Sequence, residues 1–267
     1  MKLRKQLLHT LINQLERTFR VKTFGDLRLS RYWSKINDKW DFIYYRSSAR
    51  HDDKWMARQV LMFTEYKIPT RQYLEALQAY AKSKTGFPLI IDAGGNIGTS
   101  SFYFLKIFPE AFAYVIEPES SNFELLSINL ARRANVNLFQ GAIGSKTGKA
   151  FLDRRSDCAH RITDRGDEHI NVIDTASILA EMEPRGAFPF IYKVDIEGSE
   201  DDLFAGDISW LQKFPCLVIE LHDWMLPFTG NSSNFLRAIA AGDWDIIPRG
   251  ESLFIFNRPL LREFAKP

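Results

Sequence analysis

The sequence has few cysteines and no long hydrophobic run. Cys158 and Cys216 are the only cysteines in 267 residues, and they lack the paired spacing of a metal site, so we expect no disulfide framework. No apolar stretch reaches the ~18 residues of a membrane span, and polar residues interrupt the Leu7-Leu8 start too soon for a secretory signal. These absences predict a cytoplasmic protein.

The net charge is also small, at +2, but the charged residues are unevenly distributed along the chain. Residues 1–50 hold 12 Lys or Arg against 4 Asp or Glu and carry +8, which leaves −6 on the rest of the chain. Residues 1–20 have apolar positions at helical spacing and predict a basic amphipathic helix. Such a helix is either a solvated surface or a site of contact with an anionic membrane, a phosphorylated or lipid-linked acceptor, or nucleic acid.

The length allows one domain of ordinary size with an appendage. Seven aromatic residues between residues 31 and 55 favour a small core there over a surface that stacks on sugars. Residues 69–82 have the periodicity of a helix. We therefore divide the chain into a helical N-terminal appendage, residues 1–86, and a second domain, residues 87–267.

Strand and helix patterns alternate after residue 86. Predicted strands cover 88–92, 112–117, 136–140, 149–153, 170–173, 189–195 and 215–221, and a hairpin of 243–248 and 252–257 ends the pattern. Predicted helices cover 97–108, 120–132, 174–182, 199–206 and 232–241. The alternation indicates an α/β fold with a largely parallel sheet covered on both faces, in which ligands bind at the carboxyl ends of the strands.

A glycine-rich turn follows the first of these strands and reads D-A-G-G-N-I-G from Asp92 to Gly98. It has neither the G-x-G-x-x-G spacing of dinucleotide folds nor the Gly-Lys-Ser/Thr ending of a phosphate loop. A carboxylate at the turn repels phosphate and attracts a cation, which suits a cofactor with an amine and no pyrophosphate, such as S-adenosylmethionine. We assign cofactor binding to Asp92, Gly94, Gly95, Asn96, Gly98 and Thr99, with Asp92 and Asn96 near the methionine half.

Two further positions complete the predicted cofactor site. Glu117 ends the second strand, where an acid accepts hydrogen bonds from both ribose hydroxyls. Its alternative role is to cap the helix that follows Pro118. The segment Gln140-Gly141-Ala142 follows the third strand and is the expected neighbour of the adenine.

Charged side chains follow the strands predicted at 189–195 and 215–221. Lys193, Asp195 and Glu197 share one side of the first at period-two spacing, and Glu220 and His222 share one side of the second. Because these strands are neighbours in the expected fold, we predict that the five side chains converge beside the methyl donor.

If the cofactor is S-adenosylmethionine and the acceptor is a hydroxyl, methyl transfer requires a base that takes the hydroxyl proton. We assign this role to His222, with Asp195 and Glu197 orienting the acceptor or the cofactor. The alternative for His222 is a strand cap. We assign no metal ligands, although Asp195, Glu197, Glu220 and His222 would also suit a divalent ion such as Mg²⁺ or Mn²⁺. Glu200 is interpreted as structural, at the first turn of the next helix.

Taken together, these motifs resemble the FkbM-type methyltransferase family over residues 87–257. The family's usual D-x-G-[AG]-N-I-G matches the turn after Asp92, and Glu117-Pro118 matches its second landmark. The run from Lys193 to Glu200 is close to its I-K-x-D-x-E-G-x-E. The resemblance implies a Rossmann-like class I methyltransferase fold with a final antiparallel hairpin. It also implies an S-adenosylmethionine-dependent O-methyltransferase acting on a sugar or another secondary metabolite.

Residues 154–169 form a polar segment that is either an acceptor-binding loop or a solvated excursion. Three scattered residues in it, Cys158, His160 and His169, lack the spacing of a zinc site.

Three rival functions remain open. A nucleic-acid methyltransferase would explain the basic leader, but the Asn/Asp-Pro-Pro-Tyr/Phe motif of amino-directed enzymes is missing. A non-catalytic cofactor-binding module would use the leader to hold a partner. The glycine spacing disfavours an NAD-dependent dehydrogenase. The oligomeric state does not follow from the sequence.

Overall fold

The computed structural model describes residues 21–24, 27–34, 39–46, 53–153, 161–163 and 168–265. The amphipathic helix predicted for residues 1–20, with its membrane contact, and the residues Cys158 and His160 lie outside these ranges. Cys216 is a buried free thiol. Within the described ranges, no helix combines the length and the apolar character needed to cross a membrane.

The described strands form three sheets. In chain order they are β1 (Val21–Phe24), β2 (Leu27–Ser34), β3 (Lys39–Arg46), β4 (Phe87–Ala93), β5 (Phe112–Glu117), β6 (Val136–Gln140), β7 (Ala142–Gly144), β8 (Gly148–Asp153), β9 (Arg161–Thr163), β10 (Glu168–Asp174), β11 (Ala187–Val194), β12 (Cys216–Glu220), β13 (Trp244–Arg249) and β14 (Ser252–Asn257).

The described helices separate these strands. They are α1 (Asp53–Leu61), α2 (Arg71–Ser83), α3 (Thr99–Ile107), α4 (Ser120–Leu130), α5 (Thr175–Met182), α6 (Glu200–Leu203), α7 (Ser233–Ala240) and α8 (Arg258–Leu261), with short 3-10 turns at Glu183–Arg185 and Ser209–Lys213. The helix predicted for residues 199–206 is therefore shorter than expected.

The central sheet has the strand order β13-β14-β12-β11-β4-β5-β6. Pairs from β6 to β12 are parallel, and β14 is antiparallel to both of its neighbours. This confirms the α/β prediction, with the Rossmann-like, largely parallel sheet and the final antiparallel hairpin of class I methyltransferases. From β4 the chain continues to β5 and β6 on one side of this strand. It later adds β11 on the other side of β4. The strand order thus reverses at the carboxyl ends of β4 and β11, where open sheets of this class bind ligands.

Alternate residues of β4 show how the sheet is covered on both faces. Leu89 and Ile91 pack in a buried cluster that includes Ile178 of α5, whereas Ile90 packs in another that includes Leu77 of α2 and Phe104 of α3. Since both faces are buried, the strand is a continuous apolar run rather than an alternating one.

A second sheet, with the order β7-β10-β8-β9, lies apart from the central one. The strands predicted at 149–153 and 170–173 are confirmed as parts of β8 and β10. Their pairing in a sheet separate from the central one is not predicted by the sequence. The prediction of a loop over residues 154–169 is wrong where the structure describes this segment. Residues 161–163 pair with β8, and residues 168 and 169 begin β10.

The prediction of a helical N-terminal appendage is wrong for residues 21–46. Strands β1, β2 and β3 form an antiparallel sheet there, with Trp33 opposite Trp40. The physical reason is composition, because aromatic and β-branched residues favour strands. The helix predicted for residues 69–82 is confirmed as α2. Ile43 of β3 and Leu77 of α2 belong to the same buried cluster as Ile90 of the central sheet.

Arg46, the last residue of β3, joins the N-terminal sheet to the central domain. Its guanidinium group forms two 2.8 Å hydrogen bonds with the carboxylate of Asp53 in α1. The same group donates to Ser121 Oγ at 2.6 Å and Asn122 Oδ1 at 2.5 Å, both in α4. The Asp53 side chain is 4% exposed, so this ion pair is shielded from water.

Arg46→Ala is expected to lower the free energy of unfolding by about 3 kcal/mol, because it leaves a buried carboxylate without its cation. The control is Arg71→Ala, which removes a solvent-exposed ion pair with Glu75 and should leave the free energy of unfolding almost unchanged. Denaturant unfolding measures both values. Equal small losses would show that the Arg46 contacts do not stabilise the fold.

Candidate functional site

The glycine turn after β4 is packed tightly against protein. Gly94 has φ +79°, and a Cβ atom there would lie 1.7 Å from the backbone oxygen of Asp195, which follows β11. A Cβ atom on Gly95 would lie 2.4 Å from Val115 Cγ1. The sequence predicts that these glycines allow the approach of a ligand. In the structure, the Asp195 backbone and the Val115 side chain already leave no space for a Cβ atom at these two positions.

Asp92 is fully buried at the end of β4. Its Oδ2 atom accepts hydrogen bonds from the hydroxyls of Ser100 at 2.6 Å and Ser101 at 2.5 Å, both in α3. Its Oδ1 atom has no hydrogen-bond partner among the described residues and lies 3.4 Å from Lys193 Nζ. Asp92 therefore holds α3 against the strand. The sequence analysis placed Asp92 beside the methionine half of the cofactor, whereas its partners here are protein atoms.

The turn ends at the start of α3. Gly98 is the N-cap residue, with φ +87°, and Thr99 is the first helical residue and is buried. Asn96 also has a positive φ, +48°. Its backbone N–H donates to Glu117 Oε2 at 2.8 Å. The turn and the end of β5 are thus joined through the Glu117 carboxylate.

Glu117 is buried, with 5% of its surface exposed. Besides the Asn96 N–H, its carboxylate accepts the Glu119 N–H at 2.9 Å and a longer contact from Asn122 Nδ2 at 3.4 Å. Burial raises the pKa of Glu117 to about 7, although these hydrogen bonds oppose the rise. The alternative that Glu117 caps the next helix is wrong, because the side chain of Glu119 accepts the Asn122 N–H there.

The third strand ends at the same edge of the sheet. Gln140 pairs with Glu117 in the ladder between β5 and β6, and its exposed side chain lies 3.3 Å from Ser120 Oγ. The Gly141 N–H donates to the Glu117 backbone oxygen at 3.1 Å. Ala142 is buried and pairs with Val172 in the second sheet. Gln140 and Gly141 therefore lie next to Glu117, whereas Ala142 is a paired residue of the second sheet.

Lys193 lies at the centre of the site, where β11 ends beside β4. Its buried ammonium group donates to Gly94 O at 2.6 Å and lies 3.3 Å from Asp195 Oδ2. Burial alone lowers the pKa of Lys193, but the charges of Asp195 and Asp92 outweigh it and raise the pKa above its ordinary value. Lys193 is therefore a permanent cation.

The structure brings the predicted acidic residues together around His222. The His222 Nε2 atom lies 3.7 Å from Asp195 Oδ1, 3.6 Å from Glu197 Oε2 and 3.5 Å from Glu220 Oε1. On the other side of the ring, Nδ1 lies 2.7 Å from Glu200 Oε1. Because a carboxylate only accepts, we assign the proton of this bond to Nδ1. We call the set Asp195, Glu197, Glu220 and His222 the acidic cluster.

The acidic cluster has shifted pKa values. Burial lowers the pKa of His222, but the hydrogen bond with Glu200 and the charges of Glu200, Asp195 and Glu197 raise it to about 9. Burial, then the charge of Asp195, raises the pKa of Glu197 and Glu220 to about 7. The imidazole therefore holds its proton at neutral pH, and a role as general base requires that proton to leave. That role stays a prediction.

Sequence reasoning missed the role of Glu200. This fully buried residue opens the short helix α6, and it accepts hydrogen bonds from Gly198 N–H at 3.2 Å and from Asn231 Nδ2. Its carboxylate is therefore fixed behind the His222 ring. The signal was present, since Glu200 is the last acid of the E-G-x-E motif, but no pattern in the sequence pointed to Asn231.

The segment after β12 exposes aromatic side chains beside the acidic cluster. Trp224 is 73% exposed, and its ring centroid lies 6.4 Å from that of His222. Phe228 is fully exposed and has φ +68°. The Glu197 side chain in the cluster is also partly open to solvent.

Comparison with known proteins gives structural likeness alone. No protein-family model matches the sequence, and no curated protein matches it. A methyltransferase FkbM structure from Methylobacillus flagellatus KT has a TM-score of 0.46 and 18% identity over 64% of this chain. The alignment spans 44% of that protein, so this chain corresponds to less than half of its length.

Two other solved structures show the breadth of the likeness. An O-methyltransferase from Bacillus cereus in complex with SAH has a TM-score of 0.40 and 12% identity, over 70% of this chain and 80% of that one. The Methanococcus jannaschii fibrillarin pre-rRNA processing protein has a TM-score of 0.40 and 10% identity, over 89% of this chain and 95% of that one. Likeness of this degree does not identify the reaction of this chain.

Gly94→Ala is expected to lower the free energy of unfolding by about 3 kcal/mol or more, because it combines a positive φ with a backbone clash. The control is Gly148→Ala, since a Cβ atom there has no neighbour within 4 Å, and its effect should stay below about 1 kcal/mol. Thermal and denaturant unfolding give both values. A stable Gly94→Ala protein would contradict the close contact between the two strand ends.

Proposed function

We propose that this protein is an S-adenosylmethionine-dependent O-methyltransferase that acts on a hydroxyl of a sugar or another secondary metabolite. The observation that carries this proposal is the position of Glu117. Its buried carboxylate ends β5 beside the glycine turn, next to the point where the strand order reverses. An acid at this position accepts hydrogen bonds from the two hydroxyls of a ribose.

The residues around Glu117 suit a nucleoside. Two backbone N–H groups fix its carboxylate at 2.8 and 2.9 Å. Oε2 has a further lone pair for a ribose hydroxyl, and a second hydroxyl would replace the long 3.4 Å contact from Asn122 to Oε1. Gln140 and Gly141 lie beside it, where an adenine ring would extend from the ribose. The absence of a G-x-G-x-x-G turn disfavours a pyrophosphate, and with it NAD.

The acidic cluster suits the acceptor side of the reaction. The cofactor supplies a methyl group from its sulfonium and becomes S-adenosylhomocysteine, while the acceptor hydroxyl gives up its proton. A carboxyl group with a pKa near 7, as in Glu197 and Glu220, is suited to receive that proton. Asp195, Glu197 and His222 stay the catalytic candidates predicted from the sequence, and Glu220 joins them as a second carboxyl group with this pKa.

A small neutral acceptor fits the surroundings better than nucleic acid does. The carboxylates of the acidic cluster repel phosphate, and the exposed ring of Trp224 provides a face on which a sugar stacks. The sugar or metabolite class itself comes from the resemblance to the FkbM-type family. Cys216, a buried free thiol, supports a location in the reducing cytoplasm.

Binding of S-adenosylhomocysteine is expected to weaken about tenfold between about pH 8 and about pH 6, because Glu117, with a pKa raised to about 7, must be ionised to accept the ribose hydroxyls. Glu117→Gln should bind more weakly and without this pH dependence, and isothermal titration calorimetry measures both. Equal pH dependence in the two proteins would exclude Glu117 as the ribose acceptor.

Methyl transfer from S-adenosylmethionine is expected with a hydroxyl-bearing glycoside or phenol in an acceptor panel and not with RNA. His222→Ala should bind S-adenosylhomocysteine with an affinity within about twofold of wild type. It should transfer methyl groups at least about 100-fold more slowly. The assay follows labelled methyl groups into product. Labelling of RNA alone would overturn the acceptor class, and labelling of nothing by a protein that binds the cofactor would favour a non-catalytic module.

A further inference from the structure

The acidic cluster contains three ligand atoms at distances that suit a cation. Oxygens of Asp195 and Glu220 and the His222 Nε2 atom all lie within 4.8 Å of one another, with Nε2 at 3.7 and 3.5 Å from the oxygens. A cation held about 2.1 Å from each ligand separates neighbouring ligand atoms by about 3.0 to 3.4 Å and opposite ones by about 4.2 Å. Side-chain shifts of a few tenths of an ångström would close the site.

The orientation of His222 is a second and independent observation. The residue is 2% exposed, and its Nε2 atom points into the cluster without a hydrogen bond to any described residue. Its Nδ1–H is held by Glu200, which is fixed in turn by Gly198 N–H and Asn231. A histidine that binds a metal through one ring nitrogen almost always donates its other N–H in this way.

The excess of negative charge around this site also favours a bound cation. Five carboxyl groups lie around Lys193 and His222, namely Asp92, Asp195, Glu197, Glu200 and Glu220. In the described part of the chain, those two basic side chains are the cations that contact this group. Asp92 and Glu200 are buried and hydrogen-bonded, whereas the partly exposed carboxylates of Asp195, Glu197 and Glu220 repel one another unless a cation lies between them.

From these observations we propose that Asp195, Glu220 and His222 bind a divalent metal ion, which displaces the proton on His222 Nε2 into solvent, with Glu200 as the residue that positions His222. Two carboxylates and one imidazole favour a cation such as Mn²⁺, which accepts both donor types, over Ca²⁺. Glu197, whose side chain is 41% exposed, lies 3.6 Å from Nε2 and is available as a further ligand. The proposal of this metal site rests on the positions of these residues and does not depend on the proposed methyl transfer. If the proposed methyl transfer is correct, the ion would also lower the pKa of an acceptor hydroxyl.

The test uses the full chain, treated with a chelator, dialysed and titrated with Mn²⁺ while electron paramagnetic resonance follows the free ion. We expect one site per chain with micromolar affinity and a ¹⁴N coupling from the imidazole in the pulsed spectrum. Asp195→Asn and Glu220→Gln should weaken binding at least tenfold. Glu200→Gln should weaken it about 10- to 100-fold, although Glu200 does not touch the ion.

The control is Glu183→Gln, an exposed carboxyl at the opposite end of β11, which should bind Mn²⁺ like wild type. Circular dichroism checks the fold of each variant, and the ¹⁴N signal of the wild-type protein needs no variant. No Mn²⁺ binding, no ¹⁴N coupling, or wild-type affinity in Asp195→Asn and Glu220→Gln would overturn the proposal. Titration with S-adenosylhomocysteine in the presence of EDTA tests the cofactor separately, so the two proposals fail independently.

Discussion

The buried ammonium group of Lys193 lies where the two central strands of the sheet end. It donates to the backbone oxygen of Gly94 and lies within 3.4 Å of carboxylates on both strands, Asp92 and Asp195. Because a buried cation needs these partners, the ends of β4 and β11 are held together. Their contact leaves no space for a Cβ atom at Gly94. The glycine turn, the start of α3 and the first residue of the acidic cluster all follow from this one ion pair network.

The network also separates two chemical environments at one edge of the sheet. On the β5 side, Glu117 is buried among N–H donors and suits a neutral hydroxyl pair. On the β12 side, several carboxyl groups surround the His222 ring and suit a cation or a proton transfer. A nucleoside cofactor at the first place and an acceptor at the second would meet above Lys193. This arrangement explains why the sequence carries acids at the ends of four neighbouring strands.

Much of this architecture was predictable from the sequence, because strands buried on both faces are long apolar runs. The bounds of β5 and β6 were predicted to the residue, and Glu117 was located from its place after such a run. The three strands before residue 47 were missed because their pattern was interpreted as a helical appendage with a small aromatic core. The role of Glu200 was missed because its partner, His222, is 22 residues away in sequence. Contacts of that kind depend on the loops between strands, which carry no periodicity.

The most direct measurement is a crystal structure of the protein with S-adenosylhomocysteine. The account predicts that both ribose hydroxyls donate to the Glu117 carboxylate, that the adenine lies beside Gln140, and that the sulfur atom faces the acidic cluster around His222. A ligand bound elsewhere, or one whose ribose makes no contact with Glu117, would contradict it.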